Sequence, residues 1–117
     1  MDRKLILAAL AIALAVYGIY MALFIPGMIV GTGNPLLLLA FGAQALFAIA
    51  AAIGVARRSG WAAGAVLLLG VAIVATQIVE GLVLGLIALN HMLLVALAGI
   101  LVTIAIALYV RRGRVPA

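Results

Sequence analysis

The sequence predicts an all-α fold, a four-span transmembrane helical bundle with both termini on the cytoplasmic side. Three observations predict it. The 117 residues are 71% hydrophobic and 8% charged, with a mean hydropathy of +1.54, whereas a soluble domain is roughly half apolar and a quarter charged. Residues 5–56 and 59–110 contain no Lys or Arg, and each block holds two crossings of about 20 residues and a turn, but not three. All seven cations fall in three clusters: Arg3 and Lys4, then Arg57 and Arg58, then Arg111, Arg112 and Arg114. Four crossings bring these clusters to one side, and the positive-inside rule makes that side cytoplasmic, N-in and C-in. So apolar a composition also excludes a disordered chain, which needs low hydrophobicity and high charge.

The first span is expected near residues 4–25. Pro and Gly end helices and shape turns, so Pro26 and Gly27 should close it and residues 26–34 should form a connector. The opening residues also resemble a secretory signal with a cleavage site at Ala13-Leu14-Ala15. The apolar run nevertheless continues to Phe24, long enough to span, and a retained helix is expected. The second span is expected near 35–56, with Pro35 at its first position and Asn34 as cap.

Arg57-Arg58-Ser59-Gly60 reads as a short turn, and Trp61 as an interfacial anchor for the third span, mirrored by Tyr109 beside Arg111. The remaining apolar run has one visible break, at Leu89-Asn90-His91, which divides it into spans near 61–86 and 91–110. These runs lack alternation and are too long for barrel strands. A single integral membrane domain over 1–117 is expected. Arg3 to Arg57 and Arg57 to Arg111 are each 54 residues apart, and Asn34 and Asn90 are 56 apart. Two parallel hairpin repeats have this spacing, and so does any compact four-span chain with basic inner ends.

Little in the composition supports catalysis. There is no cysteine and one histidine, His91, which removes thiolate chemistry and any multi-histidine site within one chain. Gly31-Thr32-Gly33 lacks the rest of a phosphate-binding loop. Asp2 and Glu80 stand at opposite ends of the membrane, too far apart for an acid–base pair. No enzyme activity, metal or cofactor is expected. The seven cations form no continuous face for nucleic acid; they are topology signals that also touch anionic lipid headgroups.

A small polar set remains. At 1.5 Å per residue, Tyr17, Tyr20 and Gln44 are expected roughly 20–24 Å from the basic end, and Gln77, Glu80 and His91 roughly 24–30 Å from it. Thr76, Gln77 and Glu80 share a helix face by their spacing of three and four. Turned inward, that strip meets Tyr17, Tyr20 and Gln44. A charged side chain at this depth is expensive and faces a bundle interior or a water-filled cavity, which makes Glu80 a proton- or cation-binding carboxylate. At the outer interface, by contrast, it merely ends a span. His91 is expected to be interfacial or capping. Gly60-x-x-x-Gly64, Gly81-x-x-x-Gly85 and the ladder Ala48, Ala52, Ala56 are expected to allow close helix packing.

In length and span number the chain resembles the small multidrug resistance transporters, which act as dimers. That family carries its key acid in the first span, and Leu5–Phe24 contains none. The expected function is therefore that of a small, non-catalytic protein of a prokaryotic inner membrane, acting through helix packing in assembly or an accessory role. The alternative is an oligomeric transporter or channel for a proton, cation or small solute, built on Glu80 with Gln77, Gln44, Tyr17 and Tyr20. A third reading binds a lipid or quinone among the helices. Expected partners are the lipid bilayer and a second copy or a larger membrane complex.

Overall fold

The computed structural model describes residues 3–31, 35–83, 85 and 87–112. In chain order they form α1 (Arg3–Gly31), α2 (Pro35–Arg57), α3 (Ala62–Ile78) with a π-helical turn (Val79–Val83) at its end, and α4 (Leu89–Arg112). The described residues contain no strand. Four segments are long and apolar enough to cross a membrane: Arg3–Gly27, Pro35–Arg57, Ala62–Val83 and Leu89–Arg111. Helices satisfy every backbone donor and acceptor internally, as a segment in hydrocarbon must. The longest dimension is 48 Å, enough to clear a hydrocarbon core of about 30 Å with the headgroup layers beyond it.

α1 packs on α2, α2 on α3 and α3 on α4, while α1 and α4 approach each other hardly at all. Burial follows from this order. Of the spanning windows, that of α3 is 39% buried and that of α4 only 17%, so α3 is the central helix. The core is built largely from small side chains, with Ala48, Ala51 and Ala62 fully enclosed beside Val55 and Val66. Small residues let helices come close enough for dispersion to hold them where lipid supplies no hydrophobic drive. The α3–α4 approach shows this at Gly70, where a Cβ would strike the Thr103 hydroxyl and lie 3.0 Å from Thr103 Cβ. Thr103 keeps its hydroxyl satisfied by donating to Gly99 O at 2.9 Å and Ile100 O at 3.0 Å in its own helix.

The described members of the three basic clusters lie at one end. Arg3 Nη2 donates to the Tyr109 carbonyl at 2.6 Å, and its guanidinium carbon sits 4.3 Å from the centre of the Tyr109 ring. Tyr109 is thus a half-buried partner of Arg3 as well as an interfacial aromatic. α2 stops in a Schellman turn: Ser59 N–H donates to Gly54 O at 2.9 Å and Arg58 N–H to Val55 O at 3.2 Å. Arg58 holds the left-handed position, φ 54°, where glycine is usual. Trp61 is half exposed beside Gly54.

Several boundaries differ from the sequence reading. α1 does not stop at Ile25; it continues through Pro26 to Gly31. Proline costs the Ala22 carbonyl its usual donor, but a membrane helix tolerates that more easily than it tolerates several unpaired groups in a connector. Pro35 does open α2, whereas the cap proposed at Asn34 lies outside the described residues. The third span ends in the π-turn at Val83 rather than at 86. Leu89-Asn90-His91 is no break: it is the first turn of α4, with Met92 N–H donating to Ala88 O at 2.9 Å. The chain turns earlier, where Gly85 takes φ +65°. Gly85 is therefore a turn glycine, not a packing one. A Cβ on Gly64 would meet nothing within 4 Å, so it closes no helix contact within the chain, and in the alanine ladder Ala48 and Ala52 are buried but Ala56 is exposed.

Candidate functional site

Three spans each bring one polar side chain to the same level. Tyr17 stands 14 residues beyond Arg3, Gln44 13 before Arg57 and Thr76 14 beyond Ala62, each roughly 20 Å from the basic end at 1.5 Å per residue. They form one chain of hydrogen bonds. Tyr17 Oη donates to Gln44 Oε1, Gln44 Nε2 donates to Thr76 Oγ1 at 2.7 Å, and Thr76 Oγ1 donates to Ala72 O at 2.8 Å. The directions are mutually consistent, because Thr76 spends its proton on Ala72 and so must accept from the amide. Gln44 and Thr76 are 3% and 1% exposed, a depth at which an unpaired amide would be costly. None of the three groups is charged, and none has a base beside it to make it a nucleophile. Their arrangement ties α1, α2 and α3 together.

The other expected members of the site do not join this chain. Tyr20 is 55% exposed on the outside of the bundle. Its ring meets Phe24 edge-on, centroids 4.9 Å apart, and Phe24 meets Phe41 of α2 at 5.9 Å. Gln77 follows Thr76 in sequence but turns away, and its Oε1 is buried without a hydrogen-bond partner. Glu80 lies partly buried in the π-turn, within electrostatic reach of His91, which is exposed in the first turn of α4. Glu80 falls in the π-turn, outside the regular α-helical spacing expected to align it with Thr76. The expected single strip is thus divided, with a hydrogen-bonded chain inside and Glu80 in the π-turn outside it.

Lys4, Arg57, Arg58 and Arg111 are exposed at the basic end, and Arg3 is partly covered by Tyr109. The Arg112 side chain and Arg114 lie outside the described residues. Among the described residues no group of three or more His, Cys, Asp or Glu is placed to hold a metal ion.

Among the described residues two cavities open on the outside of the bundle, and sequence reasoning found neither. The larger, about 570 Å³, is an apolar cleft between α1 and α4. Leu69 and Ile73 of α3 form its floor, Ala98 and Gly99 of α4 give it width, and Tyr17 stands on its α1 wall. The smaller, about 390 Å³, is a groove between α3 and α4 at the basic end, with Arg111 at its mouth. Gly64 and Ala98 mark the two cavities in the sequence, but nothing in the composition separates them from the many small residues in contact. Comparison with protein-family models, curated proteins and solved structures finds no match.

Proposed function

We propose that the chain is a small, non-catalytic, multi-pass component of a prokaryotic cytoplasmic membrane, acting through helix packing in an assembly or accessory role. The observation that carries this reading is the fate of the interior polar groups. The chain from Tyr17 through Gln44 to Thr76 ends on the Ala72 carbonyl, so the amide and hydroxyls are engaged in holding the bundle. The basic end faces the cytoplasm by the positive-inside rule, and the α1–α4 cleft is where another membrane helix inserts. The chain has no cysteine, which permits a clean test by cross-linking in native membranes. Ala98→Cys, in the cleft, is expected to give a discrete adduct that Leu39→Cys, on the lipid-facing side of α2 and 73% exposed, does not. Equal yields at both positions, or none at either, would remove the assembly role.

One observation favours a second reading, in which Glu80 carries a proton or cation: the carboxylate is partly buried in a π-turn, three residues from the unpartnered Oε1 of Gln77. π-turns recur at functional sites. Proteoliposome flux separates the two readings. Flux equal to that of empty vesicles supports the assembly role, and flux abolished by Glu80→Gln establishes transport.

A further inference from the structure

We propose that the groove between α3 and α4 seats one anionic phospholipid, its phosphate at the mouth and an acyl chain along the slot. The groove holds about 390 Å³, and its walls are Leu67 of α3 and Ile104 and Leu108 of α4. Gly60 and Gly64 form its back, and a Cβ placed on Gly64 would meet nothing within 4 Å. The slot is therefore open space inside the span, not a seam closed by the chain's own packing.

Its mouth carries positive charge of two kinds. Arg111 lines it, is exposed, and makes no described hydrogen bond or ion pair. The same mouth holds the start of α3. Trp61 provides no side-chain cap there, and while Ala62 and Ala65 N–H donate to Ser59 O and Trp61 O, those of Ala63 and Gly64 have no described acceptor. Free N–H groups and the positive end of the helix dipole add to the guanidinium's attraction for a phosphate. Glu80, the one acid among the described residues, is at the opposite end of α3, so no carboxylate competes. An anion joined to a hydrocarbon chain matches both halves of this site. A free phosphate matches only the mouth. A second copy seated here on a two-fold axis would set Arg111 against its own symmetry mate, at an electrostatic cost.

The test is native mass spectrometry of the whole chain after exchange into mixed micelles of phosphatidylcholine and phosphatidylglycerol. One phosphatidylglycerol is expected to remain bound to the unaltered chain. Arg111→Gln and Gly64→Leu are each expected to lower that occupancy about tenfold, the scale of one charge-assisted hydrogen bond. Arg57→Gln, at the same surface but outside the groove, is expected to leave it unchanged. Circular dichroism and gel filtration establish that Gly64→Leu is folded; if it is not, Arg111→Gln against Arg57→Gln decides. Equal losses from those two variants would mean a diffuse basic surface and overturn the proposal. So would full retention in Gly64→Leu, displacement of the lipid by inorganic phosphate, or a dimer that Gly64→Leu turns into a monomer.

Discussion

Gln44→Leu tests whether the internal hydrogen bonds hold the bundle. Leucine nearly conserves volume, so packing is preserved while two interhelical bonds are lost, one from Tyr17 and one to Thr76. Hydrogen bonds between membrane helices average about 0.6 kcal/mol and reach about 1.7, because the unfolded chain in the membrane also finds partners. Two of them come to about 1.2 kcal/mol, with a ceiling near 3.4 kcal/mol. The loss should be smaller than one from removing a charged partner, since Thr76 keeps its bond to Ala72 O and Tyr17 is only half-buried beside the cleft. Reversible unfolding in mixed micelles measures the loss. A double-mutant cycle with Tyr17→Phe isolates one bond, and Thr76→Val the other, each with an expected coupling of about 0.6 kcal/mol. Thr103→Val is the control, since that hydroxyl bonds only to its own helix. If Gln44→Leu is neutral or stabilising, or if its coupling to both partners is zero, the chain of bonds does not tie the helices together.

Three further outcomes are expected. Gly70→Ala should destabilise by about 1–3 kcal/mol in the same unfolding assay, because the new methyl collides with Thr103 in a packed seam; Gly64→Ala, which meets open space, should cost nothing measurable or stabilise slightly. Tyr109→Leu should remove the cation–π contact with Arg3 but not the bond to the backbone carbonyl, lowering stability by about 0.5–1 kcal/mol, and Arg3→Gln should lose more because both contacts go. Single cysteines at Ser59 and His91 should react with membrane-impermeant maleimide from opposite faces of oriented vesicles, and reaction of both from one face would refute the four-crossing topology.

The spans were legible because charge is excluded from hydrocarbon. Arg57 and Arg58 mark a turn whatever the helices do around them, and Pro35 opens α2 for the same reason it opens helices in water. Pro26 was misread for a physical reason as well. A rule learned where water can satisfy a broken helix overstates the proline's power where it cannot. The facing of side chains was far less legible. Each helix is apolar on nearly every side, so there is no polar stripe from which to tell inside from outside. Tyr17, Gln44 and Thr76 could be matched in depth by counting from the basic ends, and their meeting followed. Tyr20 and Glu80 share roughly that depth, yet one turns to the outside and the other falls in a π-turn that no spacing announces. Gly85 had a signature open to either reading, a small residue four after another, and only its backbone angle shows that it belongs to the turn.

The contact between Arg3 and Tyr109 has a consequence for biogenesis. Extensive packing joins only helices that follow one another in the chain, so each span can dock on its predecessor as it leaves the ribosome and enters the bilayer. The Arg3–Tyr109 bond joins residues 106 positions apart, and it is the one described hydrogen bond between first and last helices. It cannot form until α4 has been synthesised through Tyr109. A nascent chain halted after α3 would therefore already hold the Tyr17–Gln44–Thr76 bonds while its first helix kept a free arginine at the membrane surface. Closure of the bundle at that surface waits for α4, and is reported by protection of Arg3 and Tyr109 rather than by the appearance of helix.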